Sequence, residues 1–245
     1  MELTSTKNAT VLYAASLKDK KYRDRENKYL IEGEHLVNMA GEDIECIFTT
    51  DHTYEHDTKP VYHVNEAIIK KLSFGQAPQG IVAIVKKKVN EINYNLNRYL
   101  LCDGVADPGN MGTIIRTALA FNVDMVILAN GSVDIYNDKV VRGSQGAILS
   151  MPIVYTDLKD CIKKLQENNV EVFASTLSKR SINLKDVKSV DKFALIVGNE
   201  GSGVTQIVQD MSDYNVKIAH SECIDSLNVG VATSIMLYYF DMISK

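Results

Sequence analysis

The most informative stretch of this chain is Asp107-Pro108-Gly109-Asn110-Met111-Gly112-Thr113-Ile114-Ile115-Arg116. It follows an apolar run over residues 99–102 and opens a pattern of helical period, so it predicts a strand, a tight turn and the start of a helix. Its two glycines let the backbone turn sharply and let a ligand approach it. Asn110 is a candidate N-cap, and Arg116 lies off the apolar stripe of the predicted helix, where it can face a cleft. Such a turn is suited to hold an anion.

The composition is that of a globular protein. The chain has 245 residues, 45% hydrophobic and 24% charged, which suits one large domain or two small ones. No apolar run has the length of a membrane span, and the N-terminus lacks the features of a signal peptide, so we expect a cytoplasmic protein without a membrane segment. The cysteines are scattered, and the i,i+4 pair His52 and His56 lies in a loop-like context. We therefore expect no metal site.

The charge distribution is ambiguous about nucleic acid. A net charge of −4 argues against a protein that binds nucleic acid by charge alone. Two segments, residues 18–25 and 86–88, are nonetheless locally basic. They are either solvated surface or contacts to phosphate groups, and the sequence leaves both interpretations open.

The pattern of apolar segments divides the chain into two parts, residues 1–95 and 96–245. The first part predicts a small α/β domain, with a helix-rich stretch over 23–40, strands at 45–50 and 80–85, and a helix at 65–72. In the second part, apolar strands are predicted at 99–102, 125–128, 153–155, 170–174, 193–197 and 215–218. Helices are predicted at 110–121, 158–167 and 229–243. This alternation indicates a Rossmann-like parallel sheet that binds its ligand beyond the carboxyl ends of the strands.

Two further loops are predicted at that same edge of the sheet. Gly198-Asn199-Glu200-Gly201-Ser202-Gly203 leaves backbone groups open to a ligand, although a plain glycine turn is an alternative. In Asp225-Ser226-Leu227-Asn228, Ser226 or Asn228 could serve only as a helix cap. Arg142 lies beside small residues in the segment 141–147, which is either a binding element or a surface helix end.

These segments resemble the motifs of a known family. DPGNMGTIIRTA, LIVGNEGSGV and SLNVGVATSI are similar, in this order, to motifs one, two and three of the SpoU (TrmH-type) branch of the SPOUT RNA methyltransferases. VVRGSQGAILSMPI is similar to the stretch between motifs one and two. The resemblance covers residues 98–245. YLIEGEHLV and LSFGQAPQGIVAIV make residues 1–90 similar to the small ribosomal-protein-like substrate-binding domain of members that act on ribosomal RNA.

The resemblance implies a fold and an activity. It implies a trefoil knot in the C-terminal domain, a homodimer, S-adenosylmethionine as methyl donor and a ribose 2′-hydroxyl of RNA as acceptor. The N-terminal domain favours large-subunit ribosomal RNA, because the better-known tRNA members lack it. The alternatives are a tRNA ribose methyltransferase, a methyltransferase that confers antibiotic resistance, and a non-catalytic RNA-binding or ribosome-assembly factor.

The resemblance also assigns residues to roles. The implied catalytic residues are Arg116, Asn110, Ser226, Asn228 and Glu200. The implied cofactor-binding residues are Gly198, Asn199, Gly201, Gly203, Ile218, Leu227 and Asn228. Arg116, Arg142, Lys20, Lys21 and Arg23 are the expected contacts to RNA. Because a guanidinium keeps its proton at neutral pH, we expect Arg116 to act as a charge that binds phosphate and stabilises developing alkoxide. The chain departs from the family pattern over 218–223, where an apolar-proline-methionine run is usual.

Overall fold

The computed structural model describes residues 1–178 and 181–244. In chain order the strands are β1 (Glu2–Leu3), β2 (Lys28–Glu32), β3 (Ile44–Thr49), β4 (Val61–Val64), β5 (Ile81–Lys86), β6 (Arg98–Asp103), β7 (Met125–Ala129), β8 (Ile153–Thr156), β9 (Glu171–Ser175), β10 (Ile182–Asn183), β11 (Phe193–Gly198) and β12 (Tyr214–Lys217). The helices are α1 (Ala9–Ser16), α2 (Lys20–Glu26), α3 (Glu34–Ala40), α4 (Glu66–Leu72), α5 (Pro108–Ala120), α6 (Asp138–Gly143), α7 (Leu158–Glu167), α8 (Gln206–Met211) and α9 (Val229–Ile243).

The chain forms two compact units. The first contains Met1–Val89 and Asp134–Leu149, and the second contains Asn90–Val133 and the chain from Ser150 onward. The segment Asp134–Leu149 therefore lies within the second predicted part of the sequence but packs with the first unit. The assignment of residues 1–95 and 96–245 as functional domains stays a prediction. None of the helices within the described residues is long and apolar enough to cross a membrane.

The first unit is built on a mixed sheet. Its strand order is β1-β4-β3-β5-β2, in which β5 runs antiparallel to both β2 and β3. Buried apolar side chains of α1 and α4 pack against this sheet and form its core, among them Val11, Ala14, Ile68 and Leu72. The predicted helix over 65–72 and the predicted strands over 45–50 and 80–85 are confirmed to within a residue or two.

The helix-rich interpretation of residues 23–40 is wrong in its middle. Lys28–Glu32 is the strand β2, paired with β5 over its whole length. Asn27 ends α2 in the left-handed conformation with φ 54°, and Gly33 has φ 100° after the strand. A short apolar run is compatible with either a helix or a strand, and pairing with β5, which is distant in sequence, decides between them.

The second unit carries a seven-stranded sheet within the described residues, in the order β10-β12-β9-β11-β6-β7-β8. Every pairing in it is parallel, as the sequence predicts. On one face, Ala194 and Ile196 of β11 join the core formed with α7. On the other face, the ring of Phe193 stacks on Phe240 of α9 at 4.7 Å between centroids. Helices α7 and α9 thus cover opposite faces of the sheet. Strand β11 contacts both helices because successive residues of a strand point to opposite sides.

The start of α5 differs from the expectation in one respect. Its N-cap is Asp107, whose carboxylate accepts the backbone N–H of Asn110 at 2.8 Å, and Pro108 occupies the first helical turn. Asn110 is therefore not the N-cap and lies inside the helix. Since proline is favoured at the first position of a helix, the boundary lies two residues earlier than predicted. This shift leaves the Asn110 side chain available for contacts with other loops.

Arg23 is an internal residue of the first unit. It is only 5% exposed, and its guanidinium donates to the carbonyl oxygens of Leu17 and Lys18 at 3.1 and 2.7 Å and to the Asp134 carboxylate at 2.6 Å. A guanidinium enclosed in this way has no face to offer to a phosphate. The Arg23 side chain is therefore not available for the RNA contact expected from the sequence.

We expect Arg23→Ala to lower the free energy of unfolding by about 3 kcal/mol, because it leaves the Asp134 carboxylate and two carbonyls without their donor. Arg25→Ala on the same helix removes a mostly exposed side chain and should cost less than about 1 kcal/mol. Urea unfolding followed by circular dichroism measures both values. Equal losses in the two variants would contradict the internal role of Arg23.

Candidate active site

A cavity of about 680 Å³ lies in the second unit, where strands β9, β11 and β12 end. These strands are parallel neighbours in the sheet, so their carboxyl ends meet at one edge. The lining includes, of the predicted residues, Gly198, Asn199, Glu200, Gly201, Gly203, Ile218, Ser226, Leu227 and Asn228. Every predicted cofactor-binding residue therefore contributes to one cavity.

The glycine loop after β11 folds back closely on itself. The backbones of Asn199 and Gly203 exchange two hydrogen bonds of 3.0 and 2.9 Å. A Cβ atom on Gly198 would lie 2.0 Å from the carbonyl carbon of Gly203, so only glycine fits at this position. Gly203 itself has φ 70°, a conformation that other residues rarely adopt. The loop is therefore a specific backbone structure and more than a plain turn.

Glu200 connects this loop to the start of α5. Its Oε1 accepts the backbone N–H of Asp107 and the amide of Asn110, each at 3.0 Å, and its Oε2 accepts the N–H of Ala106 at 3.1 Å. Burial raises the pKa of the Glu200 carboxyl, but these hydrogen bonds outweigh burial and bring its pKa below the ordinary value. The carboxylate is therefore ionised at neutral pH and acts as an acceptor.

Asn110 links all three loops. Its Nδ2 donates to Glu200, and its Oδ1 accepts from Nδ2 of Asn228 at 2.9 Å. Asn228 in turn caps α9, because its Oδ1 accepts the N–H groups of Gly230 and Val231 at 2.9 and 3.2 Å. The capping interpretation of Asn228 is thus confirmed, while its role as a site residue stays a prediction, although it lines the cavity. The carboxamide of Asn110 is held in one orientation by one acceptor and one donor.

Arg116 lies on the same helix as Asn110 but outside the cavity lining. Its side chain is exposed, and it makes no hydrogen bond or ion pair with any other residue that the structure describes. Asn110 forms no hydrogen bond with Arg116, because its carboxamide is taken up by Glu200 and Asn228. Among the described residues Arg116 is instead an unpaired cation, six positions after Asn110 on α5.

The other expected RNA contacts belong to the first unit. Lys20 is exposed and pairs with Asp24, whereas Lys21 is exposed without an ion-pair partner among the described residues. Arg142 is exposed on α6 and donates to Asp138 at 3.1 Å. These three side chains remain accessible to a phosphate or a base.

Sequence reasoning missed one wall of the cavity. Ser175 at the end of β9 and the following Thr176, Leu177 and Ser178 line it, and Gln209, Lys217, His220 and Met236 also contribute. A signal was present, because small polar residues follow the apolar run of β9 at the edge where ligands bind. That edge could be assigned only once β9 was known to be the neighbour of β11.

Two family models match the chain. Residues 97–238 match the model of the SpoU rRNA Methylase family, and residues 8–83 match the MRM3-like substrate binding domain. The chain is 33% identical over 245 residues to the 23S rRNA (guanosine(2553)-2′-O)-methyltransferase RlmP of Bacillus subtilis (strain 168), covering 97% of this chain and 98% of that relative.

Two solved structures are similar in fold to this chain. The AdoMet-bound rRNA methyltransferase from Sinorhizobium meliloti is 27% identical and superposes with a TM-score of 0.88, covering 99% of this chain and 97% of that chain. The SpoU methyltransferase AviRb from Streptomyces viridochromogenes, in complex with AdoMet, has a TM-score of 0.83 over 96% of this chain and 98% of that chain. At 22% identity, the second likeness shows the fold alone.

Gly198→Ala tests the glycine loop. The new Cβ would collide with backbone atoms of the same loop, so we expect binding of S-adenosylmethionine to weaken by more than about tenfold. Gly75→Ala is the control, since Gly75 does not line the cavity and the nearest atoms to its Cβ are 3.9 Å away. Isothermal titration calorimetry measures both affinities, and thermal unfolding checks that both variants fold. Equal affinities would contradict the close approach within the loop.

Proposed function

This chain belongs to the SpoU rRNA methylase family, and from this premise we propose that it methylates a ribose 2′-hydroxyl of large-subunit ribosomal RNA. It is an RNA methyltransferase whose methyl donor is S-adenosylmethionine. The observation that carries the proposal is the network through which Glu200 and Asn228 tie the helix bearing Arg116 to the wall of the cavity. A ligand in the cavity and an acceptor held by Arg116 would meet at this junction.

The residues of the cavity fit S-adenosylmethionine. A cavity of about 680 Å³ is within the usual range for a ligand of this size. The open backbone groups of the glycine loop and the Glu200 carboxylate suit hydroxyl and ammonium groups, while Ile218 and Leu227 offer apolar contact to the adenine ring. When bound, the cofactor supplies an electrophilic methyl group on a sulfonium ion.

The side chains around the junction orient and polarise the acceptor. We assign Arg116 to the RNA phosphate beside the target ribose, where its charge also stabilises oxygen that becomes anionic during transfer. Asn110, held by Glu200 and Asn228, fixes the position of the first turn of α5 relative to the cavity. Ser226 lines the cavity and is exposed, and we assign its hydroxyl to positioning the ribose. Alignment of this kind can supply several kcal/mol of rate acceleration.

Ribosomal RNA is favoured over tRNA by the first unit. The relative named as a 23S rRNA methyltransferase matches 97% of this chain, and so includes this unit. The substrate-binding model over residues 8–83 supports the same choice. We infer a cytoplasmic location from this substrate, and the bacterial source of the relative is consistent with it.

Mapping of ribose methylation in total RNA tests the proposed function. We expect one 2′-O-methylated nucleotide of large-subunit ribosomal RNA to be lost when the gene is deleted and to return when it is restored. Loss of a methylated nucleotide from tRNA instead would show that tRNA is the substrate. Unchanged RNA together with failure of the purified protein to bind S-adenosylmethionine would support a non-catalytic binding factor.

Arg116→Ala should retain cofactor affinity and lose methyl transfer by at least about a hundredfold, because the side chain lies outside the cavity and acts on the acceptor. Calorimetry with S-adenosylmethionine and a tritium-methyl transfer assay measure the two quantities. Arg116→Lys keeps the charge but loses bidentate geometry, and an intermediate rate is expected. Turnover near that of the wild type in Arg116→Ala would remove the assigned role.

We further propose that the protein is a homodimer through α9. Val231, Ile235, Tyr238 and Met242 form one stripe along this helix, each 40–58% exposed. Leu119 of the adjacent α5 is also exposed, and the rings of Phe121 and Tyr238 meet edge to face. An apolar stripe of this spacing is the usual form of a helix–helix interface.

Ile235→Glu should convert the dimer to a monomer, because it places a charge in the centre of the stripe. Light scattering coupled to size exclusion at micromolar concentration measures the mass of each species. Lys159→Glu is the control on the exposed side of α7 and should leave the dimer intact. A wild-type protein that elutes as a monomer would refute the dimer.

A further inference from the structure

An exposed loop of the first unit is fixed by a buried carboxylate. The loop runs from Phe74 to Gly80, between α4 and β5. Glu32, which is only 5% exposed, accepts the backbone N–H of Phe74 and that of Gln79, each at 3.1 Å. One carboxylate thus holds both ends of the loop at a defined separation.

A lysine fixes the turn that leads into the same loop. The ammonium group of Lys18 donates to the carbonyl oxygens of Lys71 and Ser73, each at 2.6 Å, and lies 5.4 Å from the centre of the Phe74 ring. Charged groups are costly to remove from water, and a simple connection between a helix and a strand does not need them. Fixing an exposed loop in advance lowers the entropy cost of binding a partner through it.

The two glutamines of the loop present unused hydrogen-bonding groups. Gln76 and Gln79 are exposed, and neither carboxamide is hydrogen-bonded to another residue in the described part of the chain. Gly33 has φ 100° and leaves room for the Gln79 side chain. A Cβ on Gly33 would lie only 2.3 Å from Oε1 of Gln79. The Gln79 side chain therefore lies against bare backbone.

Arg142 completes the surface from a distant part of the sequence. A Cβ on Gly75 would lie 3.9 Å from Nη1 of Arg142, so the guanidinium sits beside the loop. The other terminal nitrogen donates to Asp138 at 3.1 Å, and 43% of the side chain is exposed. Arg142 belongs to the same compact unit as the loop, although it lies 62 positions after Gly80 in the sequence.

We propose that Gln76, Gln79 and Arg142 form a base-reading surface, which recognises the edges of unpaired bases in the RNA substrate. The proposal rests on the proposed function. Carboxamides pair with two edge groups of adenine, and a guanidinium pairs with guanine or stacks on a base. The glutamines are neutral and the charge of Arg142 is shared with Asp138, so hydrogen bonding to bases, and not attraction to phosphate, is the expected contribution. The loop lies within the residues matched by the substrate-binding model.

The test compares full-length variants on ribosomal RNA from cells that lack the gene. For the double variant Gln76→Ala/Gln79→Ala we expect a rise of about tenfold in both the Kd and the KM for RNA, with kcat and S-adenosylmethionine affinity unchanged. Gln206→Ala, an exposed glutamine of the second unit, is the matched control and should leave all four values unchanged. Gly33→Ala should weaken RNA binding like the double variant, because it displaces the Gln79 side chain.

Salt dependence separates base contacts from phosphate contacts. For the double variant, the plot of log Kd against log salt concentration should move to higher Kd and keep the slope of the wild type. Lys21→Ala should instead reduce the slope by about one. A reduced slope in the double variant would overturn the base-reading surface.

Unchanged RNA binding in both the double variant and Arg142→Ala would also overturn the proposal. This holds even if these variants methylate assembled ribosomal particles more slowly. Binding is measured without catalysis, by filter retention of labelled ribosomal RNA. If the wild type binds this RNA but methylates none, the proposed function fails, while the comparison of affinities still decides the base-reading surface.

Discussion

The site depends on one carboxylate that joins two loops distant in sequence. Glu200 accepts three hydrogen bonds from residues 90 to 94 positions before it, and Asn110 passes the connection to Asn228. Because a carboxylate only accepts while an amide both donates and accepts, the order Glu200–Asn110–Asn228 leaves each group satisfied. This chain of bonds fixes the glycine loop relative to the helix that carries Arg116, and alignment is what a methyl transfer needs most.

The sheet makes these bonds possible. Strand β11 lies between β6 and β9, so the loops that follow β6 and β11 start beside each other. The close approach of Gly198 to Gly203 then turns the second loop back, and Asn199 donates to the carbonyl of Gly104 at 2.9 Å. The cavity wall is thus made from backbone as much as from side chains. This explains why its predicted residues include so many glycines.

The first unit uses buried charges differently. Arg23 joins helix α2 to Asp134, and Glu32 fixes the loop from Phe74 to Gly80. Each of these charges has several hydrogen-bond partners, which offset much of the cost of burial, although the Nε of Arg23 has none. Neither role shows in the local sequence, where Arg23 looks like any other member of a basic segment. The burial of Arg23 shows that a charged residue in a basic segment is not necessarily accessible to a partner.

The parallel sheet, most of its strands, the long helix from Val229 to Ile243 and the loops that line the cavity could be predicted from the amino-acid sequence. Periodicity and polarity are local properties, so they can be recognised in the sequence alone. That Lys28–Glu32 is a strand, that Asp107 caps α5, and that Asp134–Leu149 packs with the first unit became known only from the three-dimensional structure. It also added the residues after β9 to the cavity. These outcomes depend on which groups far apart in sequence satisfy each other's hydrogen bonds, and no local pattern records the partner.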